Sequence, residues 1–159
     1  MEIVTRHYDE LTADELYDIL RLRSAVFVVE QNCVYQDLDG KDKASYHLWL
    51  RDDGGEIVAY VRVLPQGISF DDAASIGRVV CIKRRRGYAT MLIREGISLA
   101  QEKFSARRIS IEAQLYARSL YEKLGFVQVS DEFLEDGIPH IKMTWETPSQ
   151  PPQGEETSR

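Results

Sequence analysis

A basic turn, Lys83 to Arg86, joins an apolar segment to a long amphipathic segment, and this junction restricts the fold more than any other part of the sequence. Before the turn, Val79 to Ile82 are mainly residues that favour strands. After it, apolar residues recur from Ala89 to Phe104 with the spacing of one face of an α-helix. A strand that leads through a short turn into such a helix is typical of domains in which helices pack on a sheet. The pattern therefore excludes a helical bundle and a β-sandwich.

The other segments agree with this interpretation. Thr12 and Glu15 have the spacing of a capping box that opens a first helix, whose apolar stripe reaches Phe27 and is interrupted by Arg23. A short helix ends at Gly125, because glycine readily takes the left-handed conformation that closes a helix. Strands are predicted at Ile3 to His7, Tyr46 to Leu50, Ile57 to Leu64, Ser75 to Ile82, Arg108 to Ala113, Phe126 to Val129 and His140 to Trp145. The predicted class is α/β (α+β), a sheet with helices packed on it.

Length, charge and cysteine content exclude several functional classes. The 159 residues suit one domain, predicted to span residues 1–146, and the apolar-free, Pro-rich residues 147–159 are predicted to be a disordered tail. A net charge of −6 disfavours binding to nucleic acid through its phosphates. Cys33 and Cys81 lie far apart and the histidines are scattered, so we expect no metal. Since no export signal or long apolar run is visible, we expect a cytoplasmic protein without a membrane partner.

The basic turn also predicts an anion-binding site. The first turn of a helix leaves backbone N–H groups unpaired and carries the positive end of the helix dipole. Gly87 and Ala89 add little side-chain bulk that would keep a phosphate from the backbone, while Arg84, Arg85 and Arg86 supply positive charge. A solvated basic loop is the alternative. The position between a strand and an amphipathic helix favours the anion site.

Three motifs resemble those of one enzyme family. The R-x-x-G-x-A pattern of Arg84 to Ala89 resembles the Arg/Gln-x-x-Gly-x-Gly/Ala signature of the GNAT superfamily of acetyl-coenzyme A dependent N-acetyltransferases. Gln114 to Phe126 is similar to the family's second motif, and Val26 to Gly40 resembles its ElaA-like branch. The resemblance covers nearly the whole chain before the tail, although the turn before Arg84 is slightly shorter than in relatives. It implies the GNAT acyl-CoA N-acyltransferase fold, with a mixed, mostly antiparallel central sheet flanked by helices.

The resemblance also implies acetyl-CoA as cofactor and assigns residues to it. Backbone N–H groups near Val80 to Ile82 would hold the pantetheine and the thioester carbonyl, and Arg85 to Thr90 would hold the pyrophosphate. Tyr121 matches the tyrosine that acts as general acid, since a phenol with a pKa near ~10 can protonate a departing thiolate. A purely structural ring is the alternative for Tyr121. The implied cofactor-binding set is Val80, Cys81, Ile82, Arg84, Arg85, Arg86, Gly87, Tyr88, Ala89, Thr90 and Gln114.

The sequence leaves the general base open. Relatives often carry a glutamate on the strand before the phosphate loop, but Ser75 to Ile82 contains no carboxylate. Glu112 and Glu30 are candidate catalytic bases and His140 is a third. A water chain without a dedicated base is equally consistent with the sequence.

Two acidic segments lie after the first helix and between the last strands, and most of their residues are expected to form solvated surfaces. Any that converge on the thioester would attract a cationic acceptor. We expect a small-molecule or peptide primary amine as the substrate, attacking directly in a ternary complex. Arg78, Asp37, Asp39 and His140 are the predicted substrate-binding residues, with an internal ion pair as the alternative for Arg78. A homodimer is left open.

Two other functions are also left open. Acyl-homoserine-lactone synthases, a neighbouring fold family, share a similar pattern of residues, but they do not need the phosphate turn. A non-catalytic sensor that binds coenzyme A is the second alternative, because fold does not determine function. The shared pattern consists of Arg23, Val26, Phe27, Glu30, Asp37, Asp39 and Asp42.

Overall fold

A mixed sheet forms the centre of the molecule in the computed structural model, which describes residues 1–83 and 86–148. Its strands are β1 (Glu2–His7), β2 (Tyr46–Arg51), β3 (Ile57–Leu64), β4 (Ala74–Cys81), β5 (Arg108–Gln114), β6 (Val127–Gln128), β7 (Phe133–Glu135) and β8 (Ile138–Glu146). The helices are α1 (Ala13–Arg23), α2 (Tyr88–Phe104) and α3 (Arg118–Lys123). The sheet order is β1-β2-β3-β4-β5-β8-β6, with β7 also paired to β8. Only the β4–β5 pair is parallel among these strands, so the predicted fold class is confirmed.

The start of α1 is the predicted capping box. The Thr12 hydroxyl accepts a hydrogen bond from the Glu15 N–H at 3.1 Å, and the Glu15 carboxylate accepts one from the Thr12 N–H at 2.9 Å. The end of the helix differs from the prediction. After Arg23 the chain continues as a π-helical segment, Ser24–Glu30, in which hydrogen bonds span five residues rather than four.

Two apolar cores lie on opposite faces of the sheet. On one face α2 packs so closely that a Cβ atom at Gly96 would lie 3.2 Å from side-chain atoms of Ile76 and Val63. Gly96 thus lets α2 approach the sheet closely, and a larger residue there would require Ile76 and Val63 to shift. On the other face, Ile19 of α1 and Phe27 of the π-helical segment belong to a smaller core, together with Trp49, Tyr60 and Val80.

A cleft opens between β4 and β5 because these strands pair over a short distance only. Their register joins Ala74 to Ile109 and Ser75 to Ser110, and no later pair. Beyond this point β4 stays bonded to β3 as far as Cys81, but its register shifts and Arg78 has a left-handed φ of 50°. The C-terminal ends of the two strands therefore diverge, and α2 begins beside the end of β4.

The hairpin of β7 and β8 was not predicted. Its turn consists of Asp136 and Gly137, with φ values of 51° and 77°, and it brings Phe133 opposite His140. Strand β8 therefore begins at Ile138, ahead of the predicted start. The predicted tail lies almost wholly outside the described residues, since residues 149–159 are not described. No helix in the part of the chain described is long and apolar enough to cross a membrane.

Candidate active site

The cleft contains a cavity of about 820 Å³, a volume within the range of small-molecule sites. One wall consists of Gly77–Cys81 of β4 and Gly87–Thr90 at the start of α2. The opposite wall includes Ile111–Gln114 of β5 and Tyr121 of α3. The π-helical segment and the β7–β8 hairpin close its other end. Residues that the sequence places far apart thus surround one space.

The start of α2 offers unpaired backbone donors to this cavity. Gly87 precedes the helix with a φ of 73°, and the first helical bond runs from the Met91 N–H to the Gly87 carbonyl oxygen at 3.0 Å. The N–H groups of Tyr88, Ala89 and Thr90 therefore have no acceptor within the helix. All three residues line the cavity, so the geometry suits an anion.

Some of the predicted cofactor-binding residues are not brought to this wall. Ile82 does not line the cavity, and its N–H donates to the Val58 carbonyl oxygen at 3.0 Å. Arg86 is exposed and also lies outside the lining. Arg84 and Arg85 lie outside the described residues. The other predicted cofactor-binding residues do line the cavity, namely Val80, Cys81, Gly87, Tyr88, Ala89, Thr90 and Gln114.

Tyr121 has its ring in the core and faces the cavity. The residue is 7% exposed, and its ring packs edge-on against Phe126 at a centroid distance of 5.6 Å. Within the described part of the chain its hydroxyl group has no hydrogen-bond partner. Burial raises the pKa of Tyr121 above its usual value, so the hydroxyl keeps its proton at neutral pH. The group is available as a proton donor.

All three base candidates line the same cavity. Glu30 ends the π-helical segment and Glu112 lies on β5, and both are exposed. Desolvation and the nearby carboxylate of Glu135 raise the pKa of Glu112. His140 is buried on β8, with its ring stacked on Phe133. Because all three candidates line one cavity, a place in its lining does not by itself identify the base.

A cluster of buried ion pairs lies beside the cavity. Arg23 is fully buried, and its guanidinium donates to Asp37 at 3.0 Å and to Asp42 at 2.7 Å. Arg62 of β3 donates to Asp39 at 2.9 Å and also to Asp42 at 3.0 Å. The arginine that interrupts the apolar stripe of the first helix is therefore an internal ion-pair partner rather than a surface charge.

Arg78 and its carboxylate partners complete this cluster. The Arg78 Nε atom donates to Asp37 at 2.7 Å, and Nη2 lies 3.3 Å from Asp39, which is the internal pairing considered for this arginine. Although burial opposes ionisation, the hydrogen bonds from Arg62 hold the pKa of Asp39 below its usual range. Asp39 and Arg78 line the cavity, whereas Asp37 is 5% exposed and does not. Their role in substrate binding stays a prediction.

Sequence reasoning missed several members of this environment. Arg62 and Tyr60 lie on β3. The ring of His47 on β2 donates a hydrogen bond to the Asp42 carbonyl oxygen and accepts one from the Tyr60 hydroxyl group. The available signal was the charge of Arg62 within an otherwise apolar strand, because a buried charge needs a partner. Among the residues described, no group of three or more His, Cys, Asp or Glu side chains is placed to hold a metal ion.

Comparison with known proteins identifies relatives over nearly the whole chain. Residues 9–147 match the family model of the acetyltransferase (GNAT) domain. A UPF0039 protein of Schizosaccharomyces pombe is 40% identical over 149 residues, which cover 92% of this chain and 97% of that protein. The crystal structure of Escherichia coli ElaA has a TM-score of 0.83 at 35% identity, covering 92% of this chain and 100% of ElaA.

Other solved structures share this architecture. An acyl-CoA N-acyltransferase from Pseudomonas aeruginosa has a TM-score of 0.83 at 36% identity, with 91% of this chain and 99% of that chain covered. The acyl-homoserine-lactone synthase LasI has a TM-score of 0.70 at only 11% identity, with 91% and 90% covered. The similarity to LasI concerns the fold alone.

Proposed function

The chain belongs to the GNAT acetyltransferase family and resembles its ElaA branch, and on this premise we propose that it is an N-acetyltransferase that uses acetyl-CoA and a primary amine. The observation that carries the proposal is the start of α2. Its unpaired N–H groups and the buried hydroxyl group of Tyr121 belong to one cavity. An anion-binding end and a proton donor are the two features that transfer from a coenzyme A thioester requires.

The residues along the β4 wall fit coenzyme A. Gly87 to Thr90 would hold the pyrophosphate, because the N–H groups of Tyr88 to Thr90 have no acceptor within the helix. Among the described residues beyond its chain neighbours, no atom lies within 4 Å of a Cβ placed at Gly87. Val80, Cys81 and Gln114 would line the path of the pantetheine. When bound, acetyl-CoA supplies an acyl group activated as a thioester.

The side chains of the cavity contribute to the reaction by transferring protons. Tyr121 would donate its hydroxyl proton to the departing sulfur, since the phenol is protonated at neutral pH and lines the cavity. The amine attacks directly, so no side chain of the enzyme needs to carry the acyl group. The amine must also lose a proton, either to a side chain on the cavity wall or to a chain of water molecules.

The charges at the far end of the cavity favour a cationic acceptor. Glu30, Glu112, Glu135 and Asp136 line this end, together with Lys41. The guanidinium groups of the ion-pair cluster are already neutralised by its aspartates. An ammonium group is therefore attracted, whereas an anionic acceptor would be repelled.

The alternatives are distinguished by the cofactor site. The similarity to LasI means that the fold does not by itself separate an acetyltransferase from an acyl-homoserine-lactone synthase. The N–H groups of Tyr88 to Thr90, which have no acceptor within the helix, favour a coenzyme A thioester as donor. A sensor would bind the same cofactor without turnover, so thiol release separates it from an enzyme.

A thermal-shift experiment tests the cofactor site. At a cofactor concentration of 100 times Kd, acetyl-CoA should stabilise the protein by about 2.7 kcal/mol, which raises the Tm by about 5–10 °C. The variant Gly87→Glu should lose this shift, because its side chain would project a negative charge toward the phosphate site. Retention of the shift in Gly87→Glu would contradict the assignment.

A matched control separates this effect from backbone strain. Gly67 also has a left-handed φ, 94°, and a Cβ there would likewise meet no atom within 4 Å, but Gly67 lies outside the cavity lining. Both variants pay the cost of a left-handed non-glycine residue, about 1–2 kcal/mol. Gly67→Glu should therefore have a lower Tm than the wild type but keep the full response to acetyl-CoA.

Turnover is measured as thiol release from acetyl-CoA with a panel of amines. Spermidine, glucosamine, Nα-acetyl-lysine methyl ester and a tripeptide with a free N-terminus represent the acceptor classes. Release above the hydrolysis rate supports the enzyme, and saturable cofactor binding without release by any amine supports the sensor.

A further inference from the structure

We infer that His140 is the general base of the proposed reaction and accepts a proton from the acceptor amine at Nε2. This inference rests on the proposed acetyl transfer and identifies the general base, which that proposal does not assign. His140 lies on β8 directly opposite Gln114 of β5, at the diverging ends of the strands that form the cavity. The residue is 7% exposed and lines the cavity.

The hydrogen bond of Nδ1 defines which nitrogen can accept a proton. Nδ1 lies 2.7 Å from the carbonyl oxygen of Ile138. A carbonyl oxygen accepts hydrogen bonds but cannot donate them, so Nδ1 must carry the hydrogen. In the neutral ring the free lone pair is then on Nε2. The β7–β8 hairpin therefore fixes the tautomer that a base needs.

A carboxylate lies beside the free nitrogen of the ring. Nε2 lies 3.5 Å from a carboxylate oxygen of Glu135 on β7, so a protonated Nε2 gains a partner that the neutral ring lacks. Glu112 on β5 is a second nearby carboxylate, and Lys142 and Lys41 are the cations in the same environment. The two carboxylates would stabilise the imidazolium ion that forms when the amine loses its proton.

Packing also restricts the position of the His140 ring. It stacks on Phe133 with a centroid distance of 6.1 Å and an interplanar angle of 24°. Glu112 and Glu30 are exposed side chains, whereas His140 is buried. Since a base must be held at hydrogen-bonding distance from the proton it removes, the buried ring is the better candidate.

The protons balance with this assignment. A primary ammonium group loses two protons when its nitrogen becomes an amide. The His140 Nε2 atom accepts one proton and later passes it to solvent. The second proton replaces the one that Tyr121 gives to the thiolate. The C–S bond breaks as the C–N bond forms, and no electron acceptor is needed.

The tautomer is tested without any substrate. Long-range ¹H–¹⁵N spectra of the imidazole rings distinguish Nδ1–H from Nε2–H, and the protein has three histidines. The ring whose signals vanish in His140→Gln should be in the Nδ1–H form at neutral pH. An Nε2–H form would overturn the inference, because the lone pair would then face Ile138.

The kinetic test compares His140→Gln with the wild type, using the fastest acceptor of the four-amine panel at saturation. We expect kcat to fall by about 10²–10⁴-fold, with loss of the rise in kcat between acidic and neutral pH. The acetyl-CoA-induced shift in Tm should be unchanged, which a merely structural role would not predict. Retention of kcat within about threefold overturns the assignment, since that is far below the effect of a general base.

Two further variants complete the experiment. His7→Gln changes a histidine outside the cavity lining and should keep the wild-type pH profile. Glu135→Gln keeps the ring and its bond to Ile138, so kcat should fall less than in His140→Gln. A larger fall in Glu135→Gln would assign the base to the carboxylate instead. If no amine is acetylated although the Nδ1–H form is found, the proposed function fails and the role of His140 fails with it, while the ring geometry stands.

Discussion

At the scale of single residues, the hydroxyl group of Tyr121 is the clearest target for mutation. Because it has no hydrogen-bond partner in the described residues, removing it breaks no internal contact, and the ring packing against Phe126 is kept. Tyr121→Phe should lower kcat by about 10²–10⁴-fold, the usual contribution of a general acid. The acetyl-CoA-induced rise in Tm should stay the same. Thiol-release kinetics and thermal shift measure the two effects.

A second tyrosine provides the control for this prediction. Tyr46 is also partly buried against an aromatic ring, Phe104, but does not line the cavity. Tyr46→Phe should therefore leave kcat unchanged. Equal turnover by Tyr121→Phe and the wild type would remove the acid role and leave Tyr121 as a packing residue.

The motifs predicted mainly one kind of cavity residue. The role of such a residue depends on the conformation of its own stretch of backbone. Gly87 precedes a helix in a left-handed conformation, and a single sequence motif can specify such a turn. The partners of Arg23 could not be predicted in this way. Asp37 and Asp42 reach it from a loop, and only the packing of that loop on the sheet decides whether a carboxylate faces an arginine or solvent.

At the scale of elements, the ion-pair cluster connects α1 and the following loop to β3 and β4. Arg23 carries the α1 part of this connection and is fully buried. Arg23→Ala would remove one of the two arginine partners of both Asp37 and Asp42, which are buried, and breaking a buried ion pair costs about 3–5 kcal/mol. We expect the free energy of unfolding in urea to fall by this amount.

An exposed arginine offers the comparison. Arg108 pairs with Asp72 and Glu146 at the surface, where its side chain is 42% exposed. Arg108→Ala should change the free energy of unfolding very little, because water replaces the lost partners. Similar losses in Arg23→Ala and Arg108→Ala would show that burial does not govern the contribution of the cluster.

The elements that the sequence predicted are those with a pattern of their own. The α2 stripe and the alternation or apolar runs of β2 and β3 are visible within short windows. Strand β7 is only three residues long and exists through its pairing with β8. The apolar composition of the π-helical segment would also suit an α-helix, so the sequence does not distinguish the two. The cleft itself follows from where β4 and β5 stop pairing, which involves residues more than thirty positions apart.

At the scale of the whole molecule, the buried charges predict a loss of stability in acid. Burial lowers the pKa of His47, whose ring is enclosed between Tyr60 and the Asp42 carbonyl. Burial opposes the ionisation of Asp42, but hydrogen bonds from Arg23 outweigh it, and the pKa of this carboxyl is lowered. In both groups the unfolded chain binds a proton more readily than the folded protein. Stability is therefore complete above the unfolded pKa values and decreases as the pH falls.

His47 and Asp42 affect stability in different pH ranges, so melting curves measured at a series of pH values separate their effects. His47 should reduce the Tm as the pH falls below about 6.5, and Asp42 should add a second decrease below about 3.9, the pKa values of the unfolded chain. His47→Gln is less stable at pH 7.5, because it loses the bond to Tyr60, but its Tm should change little between pH 7 and pH 5. A wild-type Tm that is constant from pH 7.5 to pH 5, or an equal slope in His47→Gln, would show that burial of this histidine does not link folding to protonation.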